Sequence, residues 1–176
     1  MSNVINLFAG PSAGKTTIAG TLFGIMKQKR MKVAYAPEFA LELVADKDFE
    51  TLDNQIYVFG EQHRRIYRYL NNVDYIITDS PLLLSAIYSR HAFKKFLPDQ
   101  DYMHVFRSLV MYTFNKYNNA NYFVDRGDRH YIQDGRVQNE QEAKEKDLEI
   151  IDILEYNNIP FKKILSEQDV IRDLGI

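Results

Sequence analysis

The sequence predicts an α/β fold of three layers, a five-stranded parallel sheet between two layers of helices. Short apolar runs alternate along the chain with segments of helical periodicity, which favours parallel strands joined by helical crossovers. The candidate motifs fall just after apolar runs, at the strand ends where such folds bind ligands. With 176 residues the chain is long enough for one buried core and too short for two ordinary domains. No repeat, linker or low-complexity segment divides it, so residues 1–176 are read as a single domain.

Val4–Phe8 is the first predicted strand, an apolar run with one asparagine inside it, as in a strand buried on both faces. A glycine-containing turn follows, and then Ile18, Leu22, Ile25 and Met26 recur at helical spacing. Lys32–Ala36 is the second strand, ended by Pro37. Leu52, Ile56, Phe59, His63, Ile66 and Leu70 mark one face of a long helix. Val73–Thr78 is the third strand, closing on Asp79-Ser80-Pro81, with a helix expected from Leu82. Another helix is expected from Asp101, with a stripe of Val105, Phe106, Leu109 and Val110. Asn121–Asp125 is the fourth strand. Asn139 and Glu142 have the spacing of a capping box, and Ala143, Ile150, Ile151 and Leu154 then face one side of the helix it opens. Pro160 ends that region and Phe161–Leu165 supplies the fifth strand.

Composition narrows the function classes. A balance of 45% hydrophobic and 26% charged residues is that of a soluble globular protein. The absence of cysteine excludes disulfides and thiolate metal sites, and a cytoplasmic location (the host cytoplasm for a viral protein) is the simplest expectation. Met-Ser-Asn at the start carries no basic region ahead of an apolar stretch, so no secretory signal is expected. The most apolar segment, Ile76–Tyr88, is interrupted by Asp79, Ser80 and Pro81 and falls short of the roughly 20 residues a bilayer span needs, so no membrane partner is expected. A net charge of −2 argues against a protein that coats DNA, though not against an enzyme that visits it through a local patch.

The most specific signal is Ala9-Gly10-Pro11-Ser12-Ala13-Gly14-Lys15-Thr16-Thr17, a Walker A loop with alanine in place of the first glycine. Backbone N–H groups in such a loop point inward at phosphate oxygens, and Gly10 and Gly14 permit the close approach. Lys15 is placed to reach the β- and γ-phosphates of ATP, and the Thr16 hydroxyl to ligate Mg²⁺. The helix N-terminus adds a favourable field for the anion. Ala9 is tolerable if its backbone keeps a negative φ.

The acidic residues have two readings each. Asp79, directly after an apolar strand, is placed to share the Mg²⁺ ion; alternatively it caps the next helix. Glu38, just beyond the second strand, is placed to orient an attacking hydroxyl and accept its proton, with Asp79 as the rival base and a solvated loop carboxylate as the plain alternative. Arg126, Arg129 and Arg136 lie in a polar stretch that reads as a lid over 126–138, bringing guanidinium groups onto the transferring phosphoryl; the alternative is a solvated loop. Gln55, Phe59 and Gln62 recur at helical spacing and suit contact with a nucleobase, unless Phe59 is core and the glutamines are surface. Arg64, Arg65 and Arg68 make the same helix locally basic, for phosphates or simply for solvent. The four histidines have no metal-ligand spacing.

Taken together, residues 9–17, Pro37-Glu38-Phe39, Gln55, Glu61-Gln62-His63, Thr78–Leu84 and Gly135–Glu140 resemble the ribosylnicotinamide-kinase-like branch of P-loop kinases. The chain looks especially like small bacteriophage kinases of that branch, some of which phosphorylate 5-hydroxymethyluracil in DNA. The resemblance implies a P-loop NTPase fold of the nucleoside- or nucleotide-kinase type, with ATP and Mg²⁺ as cofactors. It also implies nucleotide and metal binding by Lys15 and Thr16, Mg²⁺ held by Asp79, and Glu38 at the acceptor hydroxyl. The expected acceptor is nucleoside-like: the modified base in DNA, or else a free nucleoside or nucleotide. A monomer or a homodimer fits equally. A GTPase switch should carry Asn-Lys-x-Asp after a strand, and Asn115-Lys116-Tyr117-Asn118 lacks the aspartate. An AAA-type motor is set aside because no helical second domain fits the length, and a non-catalytic nucleotide-binding protein is the remaining alternative.

Overall fold

The computed structural model describes residues 1–89, 100–127 and 139–176. Five parallel strands, β1 (Asn3–Phe8), β2 (Val33–Ala36), β3 (Tyr75–Thr78), β4 (Asn118–Val124) and β5 (Lys162–Ile164), form one sheet in the order β2-β3-β1-β4-β5. The helices are α1 (Lys15–Gln28), α2 (Ala40–Ala45), α3 (Phe49–Asp53), α4 (Gln55–Tyr67), α5 (residues 84–89), α6 (Gln100–Phe114), α7 (Glu140–Tyr156) and α8 (Glu167–Leu174). Side chains alternate across the central strand. Val4 and Phe8 enter a core with residues of α4, α5, α6 and α7, while Ile5 and Leu7 enter a second core with α1 and α8. These two cores make the three layers.

The asparagine inside the first strand has a physical reason. Asn6 is buried, and its Nδ2 donates to Asn119 Oδ1 at 2.9 Å and to Asn121 Oδ1 at 3.0 Å. Asn119 in turn donates to the Phe114 carbonyl at 2.7 Å, and Asn121 to the Pro160 carbonyl at 3.0 Å. A chain of amides thus ties β1 to β4, to the end of α6 and to the segment before β5, and buried polar groups of this kind are tolerated because they are paired.

Strand register fixes where the ligand edge lies. Ala36, Thr78 and Asn6 stand in one row across β2, β3 and β1, and Phe8 is level with Phe123 of β4. The chain therefore leaves the sheet along one edge at Pro37-Glu38, at Asp79, at the loop after Phe8, and at Asp125-Arg126.

Four sequence expectations are corrected. The long helix over Leu52–Leu70 is two helices, broken where the Asn54 side chain accepts from the Tyr57 N–H at 3.2 Å and caps α4. The buried face of α4 is Gln55, Val58, Phe59, Gln62 and Ile66, whereas Ile56 is 47% exposed. Two glutamines lie on the core side because their amides find partners there. On α6 the buried residues are Phe106, Val110 and Phe114; Val105 at 65% and Leu109 at 50% face outward. The fourth strand begins at Asn118, earlier than its apolar run, because its asparagines pair with Asn3 and Asn6 of β1. The capping box at Asn139 and Glu142 is formed.

Substituting Asn6→Ala strips Asn119 and Asn121 of a buried donor and is expected to cost about 2 kcal/mol in urea unfolding; a cost under about 0.5 kcal/mol would mean that the amide chain contributes nothing. His63 is half-buried among Phe59, Tyr67 and Tyr117, with Nε2 2.6 Å from the Tyr117 hydroxyl, and burial holds its pKa below the ordinary value. An imidazole whose pKa is depressed on folding binds fewer protons than in the unfolded chain. Its contribution is complete above the ordinary histidine pKa of about 6.5 and is lost as pH falls through and below that value. His63→Gln should accordingly flatten the loss of stability between pH 7 and pH 5 relative to wild type; parallel curves would remove His63 as the cause.

Candidate nucleotide site

The loop at residues 9–14 joins β1 to α1 through two left-handed residues, Ser12 with φ 58° and Gly14 with φ 90°. Gly14 suits that conformation because a Cβ is disfavoured there. Ala9 is buried and keeps a negative φ, the condition under which alanine can replace glycine. No side chain caps the N-terminus of α1 and no acidic residue stands in its first turn, so its N–H groups and field are directed into the loop. Lys15 Nζ donates to the Ala9 and Gly10 carbonyls, each at 2.9 Å, which holds the ammonium over the loop. Thr16 and Thr17 are exposed at the start of α1.

Gly10 has a different reason for being glycine from the one its motif position suggests. A Cβ there would lie 2.6 Å from the Ala143 carbonyl oxygen of α7, and 3.0 Å from both Arg126 Nη2 and Asp147 Oδ1. The packing of α7 against the loop, more than the approach of a phosphate, forbids a side chain.

Across the edge of the sheet lies an acidic centre. Asp79 is fully buried; its Oδ2 accepts from the Tyr35 hydroxyl at 2.8 Å and its Oδ1 from the Glu38 N–H at 3.1 Å. The helix-cap alternative for Asp79 does not hold, because both oxygens turn to β2 and its exit while α5 starts only at residue 84. Tyr35 has its pKa raised far above the ordinary tyrosine value, first by burial and then by the charges of Asp79 and Glu38. It therefore stays a hydrogen-bond donor throughout the neutral range. Glu38 is half-buried at the exit of β2, and its backbone N–H is the group that Asp79 holds.

The glutamines frame this centre. Gln62 is 2% exposed; its oxygen accepts from the Phe39 N–H at 2.9 Å and its nitrogen donates to Thr78 Oγ1 at 3.3 Å, which also accepts from the Ser80 N–H at 3.2 Å. Gln55 is buried and donates to the Leu52 carbonyl at 2.9 Å. Phe59 packs edge-on to Phe106 and parallel to His63 inside the core. Arg65 pairs with Glu42 at 2.7 Å and stacks over the Phe39 ring, beside Glu38. Arg126 is brought to the loop, where it pairs with Asp147 of α7. Arg129 and Arg136, with lid positions 128–138, lie outside the described residues.

Tyr35 and Asp147 belong to this region and carried no motif. The alternation along β2 sets Tyr35 apart from Ala34 and Ala36, which is a usable hint; nothing around Asp147 in the sequence marks it. Among the described residues no three His, Asp or Glu side chains cluster as a metal cage. The donor set fits Mg²⁺ all the same: a serine/threonine-type hydroxyl at Thr16, and a carboxylate at Asp79 that retains lone pairs beyond the two in use, suit an ion that keeps several waters.

Over residues 4–170 the sequence matches a family model described as AAA domain, AAA_28. The chain belongs to that family. As a member of AAA_28 it carries the nucleotide-binding P-loop on the three-layer fold described above. No curated protein matches the chain. Among solved structures, deoxyadenosine kinase from M. mycoides with bound dATP is similar with a TM-score of 0.59 and 16% identity, covering 100% of each chain. The likeness shows that this AAA_28 chain has the P-loop fold found in a nucleoside kinase. No described helix is long and apolar enough to cross a membrane.

Tyr35→Phe is expected to cost about 1.5–3 kcal/mol in urea unfolding at pH 7, the range for a hydrogen bond to a charged group. In an Asp79→Asn background the same change should cost clearly less. Equal costs in the two backgrounds would show that Tyr35 and Asp79 do not act together.

Proposed function

We propose that the chain is an ATP-dependent kinase that transfers the γ-phosphoryl group to a hydroxyl of a nucleoside-like acceptor. The observation that carries this reading is the joint anchoring of Glu38 and Asp79. Asp79 holds the Glu38 backbone, so one carboxylate stands at the exit of β2 and another at the exit of β3, both on the edge that bears the P-loop. A second carboxylate beside the nucleotide and metal ligands is placed to orient an attacking alcohol and take its proton.

In this reading Gly10–Thr17 cradle the triphosphate, Lys15 reaches the β- and γ-phosphates, and Glu38 orients the acceptor hydroxyl and takes its proton. Thr16 and Asp79 would hold Mg²⁺, which supplies charge neutralisation for the phosphates. Gln55, Phe59 and Gln62 build the acceptor wall from behind, since the Gln62 amide is engaged at both ends. Arg65, stacked on the Phe39 ring one residue beyond Glu38, adds a cation on the acceptor side.

For the acceptor itself, a free nucleoside or nucleotide is favoured over a hydroxymethyl base in phage DNA. The arginines suited to a DNA strand are turned to their own surface: Arg64 pairs with Glu61 at 2.9 Å, Arg65 with Glu42, and Arg68 donates to the Tyr69 hydroxyl at 3.0 Å. One solved structure of like fold is a deoxyadenosine kinase. The DNA reading keeps the support of the motif resemblance.

Transfer of labelled γ-phosphate to two panels, free nucleosides and nucleotides against DNA with and without 5-hydroxymethyluracil, separates the two acceptors. Lys15→Ala should abolish label in either panel. Glu38→Gln should lower kcat by about 10²-fold or more, the usual worth of a general base, while ATP affinity stays within about threefold. A Glu38→Gln enzyme with unchanged kcat would remove Glu38 from the chemistry.

A further inference from the structure

Two charged side chains meet at the outer side of the P-loop. Arg126 Nε donates to Asp147 Oδ2, and Arg126 Nη2 donates to the Ala143 carbonyl at 3.3 Å. The other carboxylate oxygen, Asp147 Oδ1, accepts the Gly10 N–H at 2.5 Å. Both side chains are largely withdrawn from water, at 13% and 14% exposure. On its opposite side the same Gly10 residue offers its carbonyl to Lys15 Nζ at 2.9 Å. One residue of backbone therefore separates the Lys15 ammonium from the Asp147 carboxylate, which sets them less than about 10 Å apart by covalent geometry.

The carboxylate has a mechanical use and an electrostatic cost. It grips the loop to α7, with Gly10 so close to Ala143 that no Cβ fits. It also puts a negative charge within about a Debye length of the place a triphosphate occupies, on the partly buried side where salt screens little. At roughly 10 Å and an effective dielectric near 20, one unit charge changes the binding of another by more than about tenfold.

We propose that Arg126 is a positioning residue that neutralises Asp147, so that the loop keeps the grip of the carboxylate without its repulsion of the nucleotide. This rests on the nucleotide-binding reading given above, and it takes Arg126 away from direct contact with the transferring phosphoryl group. Arg126 and Asp147 then act on ATP as one neutral unit, and what matters is their summed charge.

The test is calorimetric titration of the full chain with ATP and Mg²⁺, with thermal melts to confirm folding, for Arg126→Gln, Arg126→Lys, Asp147→Asn and the double variant Arg126→Gln/Asp147→Asn. Arg126→Gln should weaken ATP binding about tenfold or more. Arg126→Lys should stay within about threefold of wild type, Asp147→Asn should bind ATP about tenfold tighter, and the double variant should return to the wild-type range. A double variant that binds no better than Arg126→Gln would overturn the proposal, since Arg126 would then touch the nucleotide itself. Asp147→Asn that folds normally yet loses about tenfold in affinity would overturn it too, by making the negative charge useful. Wild-type protein that binds no ATP would fail the nucleotide-binding reading first, and this proposal with it.

Discussion

The ligand edge of this protein depends on one buried carboxylate. Asp79 lies wholly inside the molecule, where an unpaired charge costs several kcal/mol or more, and it is kept there by two donors from the neighbouring strand and its exit: the Tyr35 hydroxyl and the Glu38 N–H. Both donors come from the β2 side, so satisfying Asp79 fixes where the chain leaves β2. The position of Glu38 follows from that, and Gln62 repeats the arrangement one residue on by tying the Phe39 N–H to Thr78. Two exits from the sheet are thereby held as a single unit.

The P-loop is held by a parallel device on its other flank. Strand order puts β1 between β3 and β4, so the loop emerges between the Asp79 centre and the Arg126 exit. On the Arg126 side, α7 is pressed against Gly10 at a distance that leaves no room for a side chain, and Asp147 bonds the loop backbone. A loop anchored in this way to α7 costs less to order when an anion arrives, which is the physical content of preorganisation.

Much of the fold was legible in the sequence because β1, β2 and β3 are largely buried and so must be mostly apolar, and because phosphate cradles admit few residue types. The Walker loop, Asp79 and Glu38 could be placed from motif and position alone. The glutamines were harder to interpret: Gln55 and Gln62 sit at helical spacing whether they face a ligand or the core, and only the partners of their amides decide. The same ambiguity misled the face of α4, since polar core residues invert the apolar count on which a helix face is assigned. Val105 and Leu109 extended an apolar stripe that α6 does not bury. Tyr35 and Asp147 act through contacts made across 44 and 137 residues of sequence, and no local pattern encodes such pairs.

Membership of AAA_28 leaves open two fates for the γ-phosphate, transfer to an alcohol or release to water, and the Glu38–Asp79 centre speaks for transfer. Phosphorus NMR of ATP with the protein, Mg²⁺ and the nucleoside panel follows that fate directly. The expected result is a phosphomonoester signal that grows in step with ADP when an acceptor is present, with little inorganic phosphate. Inorganic phosphate growing in step with ADP under every acceptor, with no monoester, would contradict the kinase reading and make the protein an ATP hydrolase.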